Sequence, residues 1–388
     1  MEKEYVLKHK DIPVLTFYIN EDTWKFFELG DVIEQKRLPY GIEEPGNRSQ
    51  NAIQLHAWLQ GRGLPDSRKD KDTVKKQFNV EELQTLTMQA GGRNLTDHYW
   101  FHRTDKTLVW KNINYFENTF DIVMEKGGAA PGIDRSVQRQ SPNVCVDGSI
   151  EKRWIIEDGK RFLLKSSRYK RMQEPFNEMI ASMILDEYKI KHVGYKLRRT
   201  KDFIPYSICE CMCDANTEFL NAQWIIQKEP QGMKDMYAHF LDICKKYGIP
   251  DVKERMDEMM WLDFIIGNED RHRGNFGILR NSDTLKWISI VPIFDNGNSL
   301  FFDKSDDEIT ENGIDSLGKA FRDSNRLNLK LLDVPIWYDP SKKDTIIGIV
   351  TQGLQNNERI KIQRINDIIE IVEERLSVFE RNLHKEEQ

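Results

Sequence analysis

The stretch that most constrains the chain is Gly267-Asn268-Glu269-Asp270-Arg271-His272-Arg273-Gly274-Asn275-Phe276-Gly277, followed by Pro292-Ile293-Phe294-Asp295-Asn296-Gly297. The first piece leaves a helical run, 252–266, whose last residues are nearly all apolar and therefore expected to be buried. The second piece ends the strand-like run 285–291. Between them lie a short apolar strand, 276–279, and an Asn-Ser-Asp turn at 281–283, which together read as a hairpin. Such a hairpin would bring Asp270, Asn275 and Asp295 to one end of a small sheet.

Those residue types suit phosphoryl transfer. One carboxylate orients and deprotonates an attacking hydroxyl, while an amide oxygen and a second carboxylate hold magnesium on the phosphates. Asp and Asn are also common loop residues because they cap and turn the backbone, so an isolated pair carries little weight. The buried helix before the pattern and the apolar-Asp-x-Gly element after it make it specific.

Asp270-Arg271-His272-Arg273-Gly274-Asn275 with Ile293-Phe294-Asp295 resembles the HipA-like serine/threonine kinases and, more distantly, the phosphatidylinositol-kinase superfamily. The specific motifs cover roughly the second and third quarters of the chain. The resemblance implies ATP and Mg2+ as cofactors, Asp270 as the base, and Asn275 and Asp295 as the metal ligands. It further implies a toxin of a bacterial or phage toxin-antitoxin pair. The substrate would be a translation protein such as an aminoacyl-tRNA synthetase, and a DNA-binding helix-turn-helix partner would restrain the toxin. Arg271 and His272 are expected to brace the loop, with His272 beside the nucleotide.

At 388 residues the chain has room for two or three compact units. A charged fraction of 31% beside 39% hydrophobic residues is that of a globular protein. No run approaches the roughly 20 apolar residues of a membrane helix, and the start lacks the apolar core of a signal peptide, so a cytoplasmic location with no membrane partner is expected. A formal charge of -6 argues against nucleic-acid binding through the overall field. Cys209, Cys211 and Cys213 alternate along one apparent strand and lack the paired knuckles of zinc sites, so buried free thiols are expected.

Residues 1–125 read as an accessory or docking domain of mixed strands and helices. Its aromatic cluster of Tyr99, Trp100, Phe101, Trp110, Tyr115, Phe116 and Phe120 suits a core or interface better than base stacking. His98 and His102, four apart, would share a helix face. The Gly- and Pro-rich segment 126–142 is a linker or mobile loop.

From Asn143 short strands joined by tight turns appear. Strands 143–146 and 150–156 flank Asp147-Gly148, and Ile156 and Phe162 flank Asp158-Gly159, both strong hairpin signals. The third strand ends on Lys165, placed to clamp phosphate oxygens. A helix from about Pro175 to Tyr188 follows, in which Glu178, rather than the helix-starting Glu174, would pair with Lys165. Strands 193–199 and 206–213 complete a five-stranded antiparallel sheet with one helix, making 143–213 a nucleotide-binding small lobe. Glu210, Cys211 and Met212 are candidates for the adenine-contacting hinge, or else ordinary strand residues.

Val146-Asp147-Gly148-Ser149-Ile150-Glu151-Lys152 is similar to the phosphate loop of the HipA-like kinases, with Gly148, Ser149 and Lys152 as nucleotide contacts. In that family a Ser before the Gly is phosphorylated to eject the loop. Here Cys145 takes its place, with Ser141 and Ser149 as possible substitutes.

Residues 214–388 are expected to form a mainly helical catalytic lobe, with helices near 233–247, 252–266, 346–354 and 359–383 and an acidic loop at 303–311. The expected fold is thus α+β, a bilobal protein-kinase-like unit preceded by an α+β domain. A lipid or small-molecule kinase and a nucleotide-binding interaction module with little turnover are the alternatives.

Overall fold

The computed structural model describes residues 1–42, 47–64, 71–120, 141–145, 152–167, 169–229, 232, 234–333 and 336–386. The chain is a mixture of sheets and helices that divides into two compact units, 1–164 with 213–220 and 280–285, and 165–212 with 221–279 and 286–388.

The first unit is built on a four-stranded antiparallel sheet in the spatial order Lys25–Val32, Ile12–Asn20, Glu2–His9, Tyr99–Arg103. Alternation places Leu7, Leu15, Phe17 and Ile19 in the core, where Phe17 meets Phe101 edge-on at 5.3 Å. The helices Arg48–Gln60, Lys71–Phe78 and Gln84–Gln89 add Leu55, Leu59, Phe78 and Leu86. Tyr99, Trp100, Phe101, Trp110, Tyr115 and Phe116 are all buried, as a core cluster requires. His98 and His102 do not share a helix face. They flank and occupy the strand Tyr99–Arg103, because a run so rich in aromatics favours a pleated, half-buried surface.

His98 joins a buried network with His9, Glu218 and Arg280. Arg37 Nη1 lies 2.7 Å from His9 Nδ1, and since a guanidinium only donates, the His9 ring proton sits on Nε2. That proton faces Glu218 Oε2 at 2.9 Å, which also faces His98 Nδ1 at 3.2 Å. Arg280 Nε donates to Glu218 Oε1 at 2.6 Å. The ligand-type atoms of His9, His98 and Glu218 lie within 4.8 Å of one another, but this donor pattern assigns them to hydrogen bonds and not to a metal ion. Burial works against ionised Glu218. Arg280 and the histidine donors outweigh it and hold the carboxyl well below its usual range.

The Asp158-Gly159 hairpin forms between Lys152–Glu157 and Lys160–Lys165, with positive φ at both turn residues (49° and 76°). Of the strand expected over 143–146, the described residues 143–145 form instead a 3-10 turn, Pro142–Cys145. Pro142 fixes φ and has no N–H for a ladder, and the Asn143 side chain accepts from Trp154 N at 2.6 Å, a side-chain bond in place of strand pairing. Only four strands are described within 143–213. The Asp147-Gly148 turn, and with it Gly148 and Ser149, lies outside the described residues.

In the second unit, Tyr195–Arg199 pairs antiparallel with Pro205–Glu210. Helices span Glu174–Glu187, Met236–Lys246, Val252–Ile266, Lys343–Gln355 and Ile362–Glu386. Trp261 on the central helix Val252–Ile266 packs against Tyr188, Trp337 and Phe379. The expected acidic loop at 303–311 contains a short helix, Asp306–Asn312. Ser305 and Glu308 form its capping box, and its acidic first turn suits the helix dipole. Cys209, Cys213 and Cys244 are buried, and Cys211 is half-buried. Among the described residues no helix is long and apolar enough to cross a membrane.

Two outcomes follow from buried charge. Glu218→Gln leaves Arg280 buried without its counter-charge and is expected to cost about 3–5 kcal/mol in urea unfolding; a loss below about 1 kcal/mol would show that the network contributes little. Burial pushes the Glu258 carboxyl up to about 7 despite Arg255 beside it. A raised acid contributes stability that is full below its unfolded value and is lost as pH rises through about 7. The melting-temperature difference between Glu258→Gln and wild type should therefore shift in favour of the variant from pH 5 to pH 8, whereas a constant difference would contradict the shift.

Candidate active site

The helix Val252–Ile266 ends at Gly267, in the left-handed conformation with φ 62°. The left-handed backbone calls for glycine there, and any Cβ would have to displace the Arg375 guanidinium. The chain then turns into the loop carrying Asp270 and Asn275.

Arg271 holds this loop in place. It is 1% exposed, and its guanidinium donates to Asp263 through Nε at 3.0 Å and Nη2 at 3.1 Å. Nη1 donates to the Asn275 carbonyl at 3.1 Å and to the Phe294 carbonyl, and Nη2 to Asn296 Oδ1. One side chain thereby ties the end of the helix, the Asn275 end of the loop and the Asp295 loop together. Asn268 completes the support, with Nδ2 on Asp263 at 2.9 Å, Oδ1 accepting from Asp270 N at 3.0 Å, and its carbonyl accepting from Asn325 at 2.7 Å.

Lys165 is almost fully buried and donates to Glu178 Oε1 at 2.7 Å and Asp295 Oδ1 at 2.7 Å. Burial alone would lower its ammonium. Asp295 and Glu178 outweigh this and hold the pKa well above the ordinary value. Burial also pushes Glu178 upward, against Lys165. Glu178 is therefore the lysine's partner, and Glu174 bonds Ser167 instead.

The second Glu178 oxygen accepts from Asn296 N at 2.8 Å. On the same helix Asn177 Nδ2 donates to the carbonyls of Gly297 at 3.0 Å and Ser299 at 2.6 Å, and Gln173 before it donates to Leu300 O at 2.7 Å. These bonds hold a loop with positive φ at Asp295 (58°), Leu300 (49°) and Phe301 (56°). Left-handed backbone at non-glycine residues costs energy and persists where surroundings over-determine it. Tyr195 OH lies 3.3 Å from Lys165 Nζ and accepts from Asp295 N at 3.3 Å.

Asp270 Oδ2 accepts from Asn298 Nδ2 at 2.8 Å and Oδ1 from Lys319 Nζ at 2.7 Å. Asn275 uses its amide N–H on the Asp270 carbonyl at 3.0 Å, which leaves its oxygen as the acceptor. The exposed His272 folds back to accept from Gly274 N at 3.1 Å.

The expected residues thus fall into groups. Lys165, Glu178 and Asp295 are in direct contact, and Arg271 joins the Asp270–Asn275 loop to the Asp295 loop. Glu210, Cys211 and Met212 lie at the end of Pro205–Glu210, where the chain leaves the second unit. Lys152 is a half-buried residue of a strand in the first unit. Asn177, Tyr195, Asp263, Asn268, Asn298 and Lys319 were not anticipated. Of these only Asp263, a lone charge in the apolar run 259–266, left a signal in the sequence.

The chain matches no protein-family model. It is 30% identical over 141 residues to the serine/threonine-protein kinase CtkA of Helicobacter pylori (strain J99), covering 33% of this chain and 39% of that protein. The chain thus spans about two fifths of the length of this curated relative. Among solved structures it is similar to a Helicobacter pylori proinflammatory kinase CtkA (18% identity, TM-score 0.47, 61% of this chain and 95% of that one). It is also similar to the Shewanella oneidensis MR-1 toxin-antitoxin protein HipA, solved with HipB and operator DNA (11% identity, TM-score 0.48, 97% of each chain). The curated match, to a serine/threonine-protein kinase, agrees with the kinase resemblance that the loop motifs carried.

Arg271→Met, which leaves Asp263 buried without a counter-charge, should cost about 3–5 kcal/mol, whereas Arg271→Met with Asp263→Leu should recover part of it. Urea unfolding of both variants measures this, and equal losses would remove the ion pair from the account.

Proposed function

We propose that the chain is an ATP- and Mg2+-dependent kinase that transfers the γ-phosphoryl group to a Ser or Thr hydroxyl of a protein. The observation that carries the reading is the convergence of Lys165, Glu178 and Asp295, with Asp270 and Asn275 on the loop that Arg271 ties to Asp295. The named activity of the curated relative, a serine/threonine kinase, supports it.

The residues suit magnesium, since Asp295 and Asn275 offer hard oxygen donors and the Asn275 amide N–H is already engaged, leaving its oxygen to coordinate. When bound, the metal supplies charge neutralisation on the phosphates. Lys165 contributes a fixed cation, positioned by Glu178, for phosphate oxygens. Asp270 orients the acceptor hydroxyl and takes its proton. Gly148, Ser149 and Lys152 would cover the phosphates, His272 would lie beside them, and Glu210, Cys211 and Met212 would meet the adenine.

The same reading takes a bilobal kinase fold, with 143–213 as nucleotide lobe and 214–388 as helical lobe, preceded by an accessory domain over 1–125. The HipA structure contains HipB and DNA. On that analogy this chain acts as a toxin restrained by a helix-turn-helix partner, with a translation protein as substrate, in the cytoplasm.

The test is incubation with magnesium and γ-labelled ATP, alone and with host lysate. Labelled protein is expected from the wild type, with at least about a hundredfold less from Asp270→Asn and none from Asp295→Asn. ATP binding without any labelled protein would overturn the protein-kinase reading in favour of a lipid or small-molecule acceptor.

A further inference from the structure

The Asp270 carboxylate raises a question of charge. Orienting an acceptor hydroxyl requires one of its oxygens, and both are engaged. Oδ2 is held by Asn298, whose own carbonyl accepts from Glu269 N at 3.1 Å, so this partner is fixed between two loops. Oδ1 is held by Lys319, whose side chain is 48% exposed on a four-carbon stem. Lys319 is the partner that can leave without moving backbone.

Its backbone is nevertheless well fixed. Gly318 N donates to Asp323 O at 3.0 Å and Asn325 N to Ser316 O at 3.0 Å, closing a tight loop. A Cβ on Gly318 would stand 2.5 Å from the Ser324 carbonyl carbon, and the flanking Ala320 is buried. The fold thus presents one mobile ammonium at one fixed point beside the base.

The loop's own basic side chains are directed elsewhere. Arg271 is buried on Asp263, His272 turns onto Gly274 N, and Arg273 donates to Gln223 Oε1 at 2.8 Å. Lys165 is held between Glu178 and Asp295. Yet charge on the transferring phosphoryl group must be met near the attacking oxygen as well as near the leaving one.

We propose, resting on the kinase reading above, that Lys319 is a further catalytic residue, the cation that binds the transferring phosphoryl group on the acceptor side. The acceptor hydroxyl replaces Lys319 on Asp270 Oδ1, and the ammonium shifts onto a non-bridging γ-phosphate oxygen. The bond from the acceptor oxygen to the γ-phosphorus forms, and the bond from that phosphorus to the β,γ-bridging oxygen breaks. The hydroxyl proton passes to Asp270 and ADP leaves. Lys319 stays protonated throughout.

The experiment compares the full-length wild type with Lys319→Met and Lys319→Arg. It measures binding of a fluorescent ATP analogue, melting temperature, and turnover of γ-labelled ATP in autophosphorylation and phosphate release. Lys319→Met should lower kcat about a hundredfold, with nucleotide Kd within about threefold of wild type and melting temperature unchanged, and Lys319→Arg should recover about a tenth of the rate or more. A kcat for Lys319→Met within about twofold of wild type, or above it as for a residue that only masks the base, overturns the inference and leaves the kinase reading standing. A wild type that binds nucleotide but neither transfers nor releases phosphate overturns the kinase reading and the inference with it.

Discussion

The buried pair of Arg271 and Asp263 sets the geometry of the second unit's polar centre. Neither side chain reaches solvent, so each charge depends on the other and on a full set of hydrogen bonds. Arg271 meets that requirement by donating to the Asn275 and Phe294 carbonyls and to Asn296, which belong to two different loops. A planar guanidinium can span these acceptors at once, which a lysine ammonium cannot do with the same fixed geometry. The stability of the ion pair and the registration of the two loops are thus one property.

A second layer of restraint comes from the helix Glu174–Glu187. Its first turns present Asn177 and Glu178, with Gln173 just before, to the backbone of 296–300. The strained left-handed residues at Asp295, Leu300 and Phe301 are held by these bonds. Lys165 then has its two carboxylates in place, and the buried Lys165 and Glu178 compensate each other where neither charge would be tolerated alone.

The first unit uses the same principle for a different end. Glu218 sits among His9, His98 and Arg280, and the His9 proton position imposed by Arg37, with Arg280 on the carboxylate, makes the cluster a hydrogen-bonded brace in the core. Histidine and glutamate at close quarters need not mean a metal; which nitrogen carries the proton decides it.

Local physics made part of this molecule readable from the chain alone. The apolar run before Gly267 fixed the central helix, Asp158-Gly159 fixed a hairpin because Asp and Gly take positive φ at little cost, and the D-x-x-x-x-N loop named Asp270 and Asn275. Lys165 was legible from its place after that hairpin, and Glu178 from its position within the helix. Pro142 and Asn143 misled, since apolar neighbours suggested a strand where side-chain bonding favoured a turn. Contacts distant in sequence were not legible: Lys319 reaches Asp270 across 49 residues and Asn177 reaches Ser299 across 122. Sequence determined which groups had local reasons to adopt their conformations and which residue types suited the chemistry. Tertiary structure decided which of many similar Asn, Lys and Arg side chains complete the site, because a buried charge or unpaired donor finds its partner in space and leaves no periodic trace along the chain.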